Sequence, residues 1–151
     1  MERSSAPREL ITFVVAEQVF GLDIMSIREI RAWTPTTRLP RVPPHVAGVV
    51  NLRGTVLPVI DLAARLGWRA TEASPRHAII VVQIGDKTTG LIVDSVSDIV
   101  TIAGDALQPP PVTTSDSMVQ FLEGLAAIEN QMVMVLDLTA LAGDDAEALA
   151  A

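Results

Sequence analysis

The chain has 151 residues, of which 49% are hydrophobic, 19% charged and only 3% aromatic, with a formal net charge of −7. That apolar share supports a real core and excludes disorder, while the acidic balance argues against nucleic acid, whose binding needs clustered cations. Cysteine is absent, which excludes disulfides and thiolate zinc sites, and no apolar run approaches the length that crosses a bilayer.

Residues 1–8 mix charges with Ser, Ala and Pro. They lack the apolar stretch of a signal peptide and are expected to be loose. Tyr is missing, so the core must come from Val, Ile and Leu, which suit a pleated surface. Such runs at 10–15 and 20–24 flank a polar turn at 16–18. Ile24, Ile27 and Ile30 then recur every third residue, as on a helix face, but the β-branched content favours a strand. After a Pro-rich loop, runs at 49–52 and 56–60 flank Arg53 and Gly54. Asp61 follows as the expected N-cap of a short helical turn closed by Gly67.

A Thr-, Glu-, Ser- and Pro-containing linker is expected at 69–75. Beyond it the order repeats: runs at 78–84 and 89–93 about a turn at 85–87, a third run to Ile99, and a loop at 109–117. Runs at 124–128 and 132–136 then flank Glu129 and Asn130, and Asp137 caps a second turn closed by Gly143. Short β-rich runs around polar turns predict antiparallel hairpins. The segment 144–151, with Asp144, Asp145 and Glu147, reads as an acidic tail.

The repeat is the most informative feature. LITFVVAEQVFGLDIMSIREI (10–30) falls without a gap on IIVVQIGDKTTGLIVDSVSDI (79–99), matching Gly21 to Gly90, Ser26 to Ser95 and Ile30 to Ile99. GVVNLRGTVLPVIDLAARLG (48–67) falls on GLAAIENQMVMVLDLTALAG (124–143), matching Asp61 to Asp137 and Arg53 to Glu129. The prediction is an all-β chain with its first repeat at about 10–68 and its second at about 76–143, inside one domain spanning 9–143. Each copy is expected to form its own small closed barrel, with Gly21, Gly54 and Gly90 in turns and Asp61 and Asp137 as caps. The two barrels are expected to pack together, since each copy's core would be thin by itself.

No chemistry is visible. His45 and His77 have no carboxylate or second His at ligand spacing, and no nucleophile elbow, P-loop or dinucleotide fingerprint occurs. No catalytic residue, cofactor or metal is therefore assigned. The repeat offers a filter instead, because positions that differ between copies are free of the shared fold's demands. Arg53 stands where the second copy has Glu129. It is either a solvated charge or a guanidinium on a rigid tip that meets a partner's carboxylate. Ile27, Ile30, Val96 and Ile99 are either core or the lining of a groove between the copies that accepts an amphipathic helix. Arg28 and Glu29 beside them read as ordinary surface charges under the core alternative.

The stretch FGLDI (20–24), IREIR (27–31), VAGVVNLRG (46–54) running into VLPVIDL (56–62), GLIVDSV (90–96), QPPP (108–111) and LEGL (122–125) resembles the CheW family. The likeness covers about residues 10–142, and the NLRG stretch with its flanking strands is its most specific part. The resemblance implies two SH3-like five-stranded barrels side by side. It further implies a cytoplasmic, non-catalytic adaptor that couples the cytoplasmic tips of chemoreceptors to the regulatory domain of the histidine kinase CheA, in membrane-associated arrays. The receptor contacts it implies are Ile27, Glu29, Ile30 and Arg53, with Val96 and Ile99 as apolar groove positions; it places no kinase contact. Two alternatives stay open: an adaptor of a non-flagellar chemosensory pathway, and a small-molecule-binding barrel or enzyme that uses the groove between the barrels.

Overall fold

β-branched runs joined by two-residue polar turns leave the chain little choice but hairpins. The computed structural model describes residues 7–43, 45–67, 74, 76–110 and 119–141. In chain order these form β1 (Arg8–Val15), β2 (Gln18–Asp23), a 3-10 turn (Ile24–Ser26), β3 (Ile27–Ala32), β4 (Val46–Leu52), β5 (Thr55–Asp61), α1 (Leu62–Arg65), β6 (Ala78–Ile84), β7 (Lys87–Val93), β8 (Ser95–Ile102), β9 (Leu122–Ile128) and β10 (Gln131–Leu136). A second helical turn covers 138–141. Three hairpin tips, Ala16–Glu17, Arg53–Gly54 and Glu129–Asn130, place both turn residues at positive φ, the conformation whose twist matches the flanking strands.

The strands make two five-stranded sheets, β8-β1-β2-β10-β9 (sheet A) and β3-β6-β7-β5-β4 (sheet B). The all-β, paired five-stranded architecture agrees with the sequence. Its assignment of one barrel per copy does not. Each sheet takes the first hairpin of one copy and the last three strands of the other. The chain changes sheet at the 3-10 turn after β2 and at Asp94 after β7. The reason lies in β1 and β6, whose central residues are buried on both faces. Leu10 packs in the core inside sheet A, while its neighbour Ile11 packs in a layer between the sheets. Ile79 and Ile80 repeat this arrangement on sheet B. In the exchanged arrangement each first hairpin lies between the core inside its sheet and the inter-sheet layer, so both of its faces are buried.

The inter-sheet layer is the largest core. It joins Ile11, Phe13, Phe20 and Leu22 of sheet A to Ile80, Val82, Leu91 and Val93 of sheet B. Phe13 and Phe20 stack with ring centroids 6.0 Å apart. The pairings of the two copies correspond: Ile11 lies opposite Ile99 and Ile80 opposite Ile30. Parallel pairings join Val135 to Gly21 and Val59 to Gly90. Gly21 and Gly90 are thus mid-strand, which corrects their placement in turns. Their role is close approach, since a Cβ on Gly21 would lie 3.0 Å from Val133 Cγ1 and one on Gly90 2.9 Å from Ile79 Cγ2.

Neither sheet closes on itself, contrary to the closed barrels expected; β3 and β4 end one sheet, β8 and β9 the other. A loop covers each β4-type edge instead. Thr37 exchanges both backbone hydrogen bonds with Val49 (2.9 and 2.8 Å), as Gln108 does with Leu125 (both 2.8 Å). This protects exposed edge groups without hydrogen-bonded closure. Gly48, at φ +148°, permits the first contact, because a Cβ there would stand 2.3 Å from Thr37 O.

Asp61 Oδ1 accepts from Ala64 N at 3.5 Å and Asp137 Oδ1 from Ala140 N at 3.3 Å, so both carboxylates sit at helical N-termini. The two turns meet where Arg65 Nε donates to Leu141 O at 2.9 Å while its guanidinium lies over the Phe121 ring. Arg8, expected in a loose N-terminus, instead starts β1. It bonds Glu123 at 2.6 Å and Asp23 at 3.2 Å. Burial opposes its charge, yet the hydrogen bond and charge of Glu123, with Asp23 beside it, raise its pKa overall. The acidic tail, Gly143, and all of the linker but Ser74 and part of the loop at 109–117 lie outside the described residues.

Candidate interaction site

The three-residue spacing of Ile27 and Ile30 has a β explanation, whereas Ile24, expected in the same strand, lies in the 3-10 turn before it. Ile27 pairs with Val82, Glu29 with Val81 and Ile30 with Ile80, so Arg28 is the extra residue of a bulge. A bulge returns the side chains to the same face one residue late. Ile27 and Ile30 therefore share the inter-sheet face of β3, opposite Val82 and Ile80. The second copy repeats this, with Val96 opposite Phe13 and Ile99 opposite Ile11. Ile27 and Val96 are partly buried against the inter-sheet core. Ile30 and Ile99 are 41% and 52% exposed.

Glu29 occupies the other face of β3. Its partner Val81 belongs to the core inside sheet B, with Leu52 and Leu57. There the β4–β5 tip comes across the mouth of the curled sheet, and Arg53 Nη2 donates to Glu29 Oε1 at 2.6 Å. Arg31 Nη1 holds Glu29 Oε2 at 3.1 Å. The hydrogen bond from Arg53, then that from Arg31, keeps the Glu29 carboxyl below the usual carboxylate range, and Glu29 in turn raises the pKa of Arg53. The tip is rigid: Gly54 takes φ +85° and its N–H donates to Asn51 Oδ1 at 2.8 Å. Gly54 is a turn residue, and Asn51 supplies the bond that Ala127 of the second copy cannot.

The structure thus brings Glu29 and Arg53 together and puts the four apolar candidates on the opposite, inter-sheet side. Arg53 already holds a carboxylate, that of its own chain. Sequence reasoning missed Arg31, the cleft of about 290 Å³ beneath the tip, and Arg28 on its wall. A compositional signal was available, since no Lys or Arg follows Lys87. The second copy places Asp98 and Glu129 where the first has Glu29 and Arg53, two acids that cannot pair. His77 also departs from expectation, because folding brings Asp94 Oδ1 to 3.8 Å from its Nε2. Among the described residues no group of three or more His, Cys, Asp or Glu could hold a metal ion, and no helix is long and apolar enough to cross a membrane.

The site thus lies on a β module of two open sheets that share one apolar layer, with exposed isoleucines on an end strand of each. The CheW-like domain model matches residues 9–146, and the chain belongs to that family. It is 50% identical over 134 residues to a probable chemotaxis protein CheW of Rhizobium etli, covering 89% of this chain and 86% of that protein. To the chemotaxis protein CheW of Rhizobium meliloti it is 49% identical over 131 residues, covering 87% and 84%. The crystal structure of the scaffolding protein TtCheW from Thermoanaerobacter tengcongensis superposes with a TM-score of 0.81 at 33% identity, over 93% of this chain and 91% of that one.

Proposed function

We propose that the chain is a chemotaxis adaptor that couples chemoreceptor tips to a CheA-type histidine kinase and makes or breaks no covalent bond. It works in the cytoplasm and is recruited to receptor arrays at the membrane. The observation that carries this reading is the Arg53–Glu29 pair on a rigid, exposed hairpin tip. The second copy has the same backbone turn without the pair, so the shared fold does not require it. Family membership and the relatives' names support the reading further.

Receptor contact falls to Arg53 and Glu29 at the sheet B mouth and to Ile30 on the opposite face of β3. Ile99 is the matching position on sheet A, with Ile27 and Val96 supporting from the core side. An adaptor transmits a signal when its contacts with receptor and kinase differ between their states. Modest single contacts suffice where assembly is multivalent.

The test is co-sedimentation with receptor-bearing membranes and CheA. Arg53→Glu stays folded, since its side chain is mostly exposed, and loses receptor recruitment. Ile30→Asp is read beside its urea midpoint, because Ile30 is only 41% exposed and a charge placed there can also cost stability. Recruitment equal to wild type in both variants would discard the receptor-binding assignment.

A further inference from the structure

The mouth of sheet B is a small site in its own right. The cleft beneath the β4–β5 tip is lined by Arg28, Glu29 and Arg53, by the hydroxyl residues Thr55 and Thr88, and by an apolar floor of Leu52, Leu57 and Val81. Two guanidiniums hold one carboxylate here, those of Arg53 and Arg31 on Glu29, and Arg28 stands on the cleft wall beside them. Arg28 makes no ion pair among the described residues. It is the bulged residue of β3, and its counterpart in the second copy is Ser97. A cationic surplus in a chain of net charge −7 is local by necessity, and screening over roughly 8–10 Å lets it act locally.

We propose that this cleft is a carboxylate receptor: it takes a Glu or Asp side chain of a partner protein between Arg28 and Arg53, with the aliphatic stem on Leu52, Leu57 and Val81. Glu29 identifies the chemistry, since a carboxylate already seats on Arg53 at 2.6 Å from the side. The incoming acid adds to the Glu29–Arg53 pair through Arg28 and the remaining guanidinium donors. This deepens the adaptor reading, on which it rests for the partner, by naming what that partner presents.

The experiment titrates the full chain with acetyl-hexaglutamate amide, the hexaglutamine analogue and inorganic phosphate, following the arginine Nε–H and Thr88 resonances by NMR. The glutamate peptide is expected to move Arg28, Arg53 and Thr88, while the glutamine peptide does not. Arg28→Gln weakens binding about threefold or more, as for an exposed charge pair. Glu29→Gln tightens it by removing a like charge beside the incoming carboxylate. Arg38→Gln removes the same charge outside the cleft and leaves binding unchanged. Equal losses in Arg28→Gln and Arg38→Gln, equal shifts with phosphate, or no shifts at the cleft would each overturn the proposal. No receptor takes part in the titration. Failure here with recruitment still lost in Arg53→Glu removes the carboxylate chemistry and leaves the adaptor reading; specific peptide binding with recruitment intact does the reverse.

Discussion

The mouths of the two sheets are built alike and charged differently. On sheet B, β3 offers Glu29 to Arg53 across the curl of the sheet. On sheet A the matching residues are Asp98 of β8 and Glu129 of the β9–β10 tip, and Asp98 bonds within its own strand, its Oδ1 accepting from Ile99 N at 2.7 Å. Four of the six exposed large apolar residues among those described, by contrast, fall in pairs, Ile30 with Ile99 and Val56 with Met132, while Met25 and Leu39 have no such partner. Backbone and most apolar positions therefore follow the repeat, whereas the charge at the β4–β5 tip is reversed at the β9–β10 tip. Specificity between partners is commonly set by charge on a shared apolar platform, and the proposed receptor contact draws on this difference between the mouths.

The largest expected effect tests whether the copies share the inter-sheet layer unequally. Phe20→Ala should cost about 3–5 kcal/mol in urea unfolding. Thr89→Ala, at the equivalent position, should cost about 1 kcal/mol. Equal losses would mean that the stacked phenylalanines do not dominate the layer. Next come the edge loops. Gly48→Ala adds a Cβ against Thr37 O at a φ that side chains rarely adopt, for about 3 kcal/mol. Gly124→Ala meets Gln108 O at 2.9 Å without that backbone strain, so about 1–2 kcal/mol is expected. A reversed order in thermal denaturation would contradict the loop geometry.

A smaller effect separates the mouths by function. Arg53→Glu should lower receptor recruitment about tenfold, as an interface arginine does, whereas Glu129→Arg at the matching tip should change it little. Comparable losses from both would erase the distinction between the sheets. The smallest effect is the titration of Glu29. Its folded pKa is depressed, so the pair's contribution is present above the ordinary carboxylate range and fades as pH falls through the lower folded value. By carboxyl carbon NMR, Glu29 should titrate below the range of an ordinary glutamate, and Arg53→Gln should move it upward. A Glu29 that titrates normally in the wild type would deny the pair in solution.

Much of this was legible in the residues. The hairpins follow from β-branched runs around turns such as Arg53–Gly54, and Asp61 and Asp137 announced their caps. Arg53 was picked out by its mismatch with Glu129. Its partner within the chain was not, because a contact between β3 and the β4–β5 tip depends on how far sheet B curls. Likewise Gly21 and Gly90 resemble turn glycines until a parallel neighbour strand is placed against them. His77 gained Asp94 only when the second crossover was bent over β1.

By itself, the sequence determined the strand-rich fold, the twofold repeat and the tips where the copies diverge, since alternation, turn chemistry and self-similarity are local properties. Only the tertiary structure decided that the copies trade hairpins, that the sheets stay open, and that Arg31 and Arg53 meet on Glu29 with Arg28 on the same cleft. Those outcomes depend on burying both faces of β1 and β6 at once. Burial on two faces is a property of neighbours in space, which the order of residues along the chain does not record.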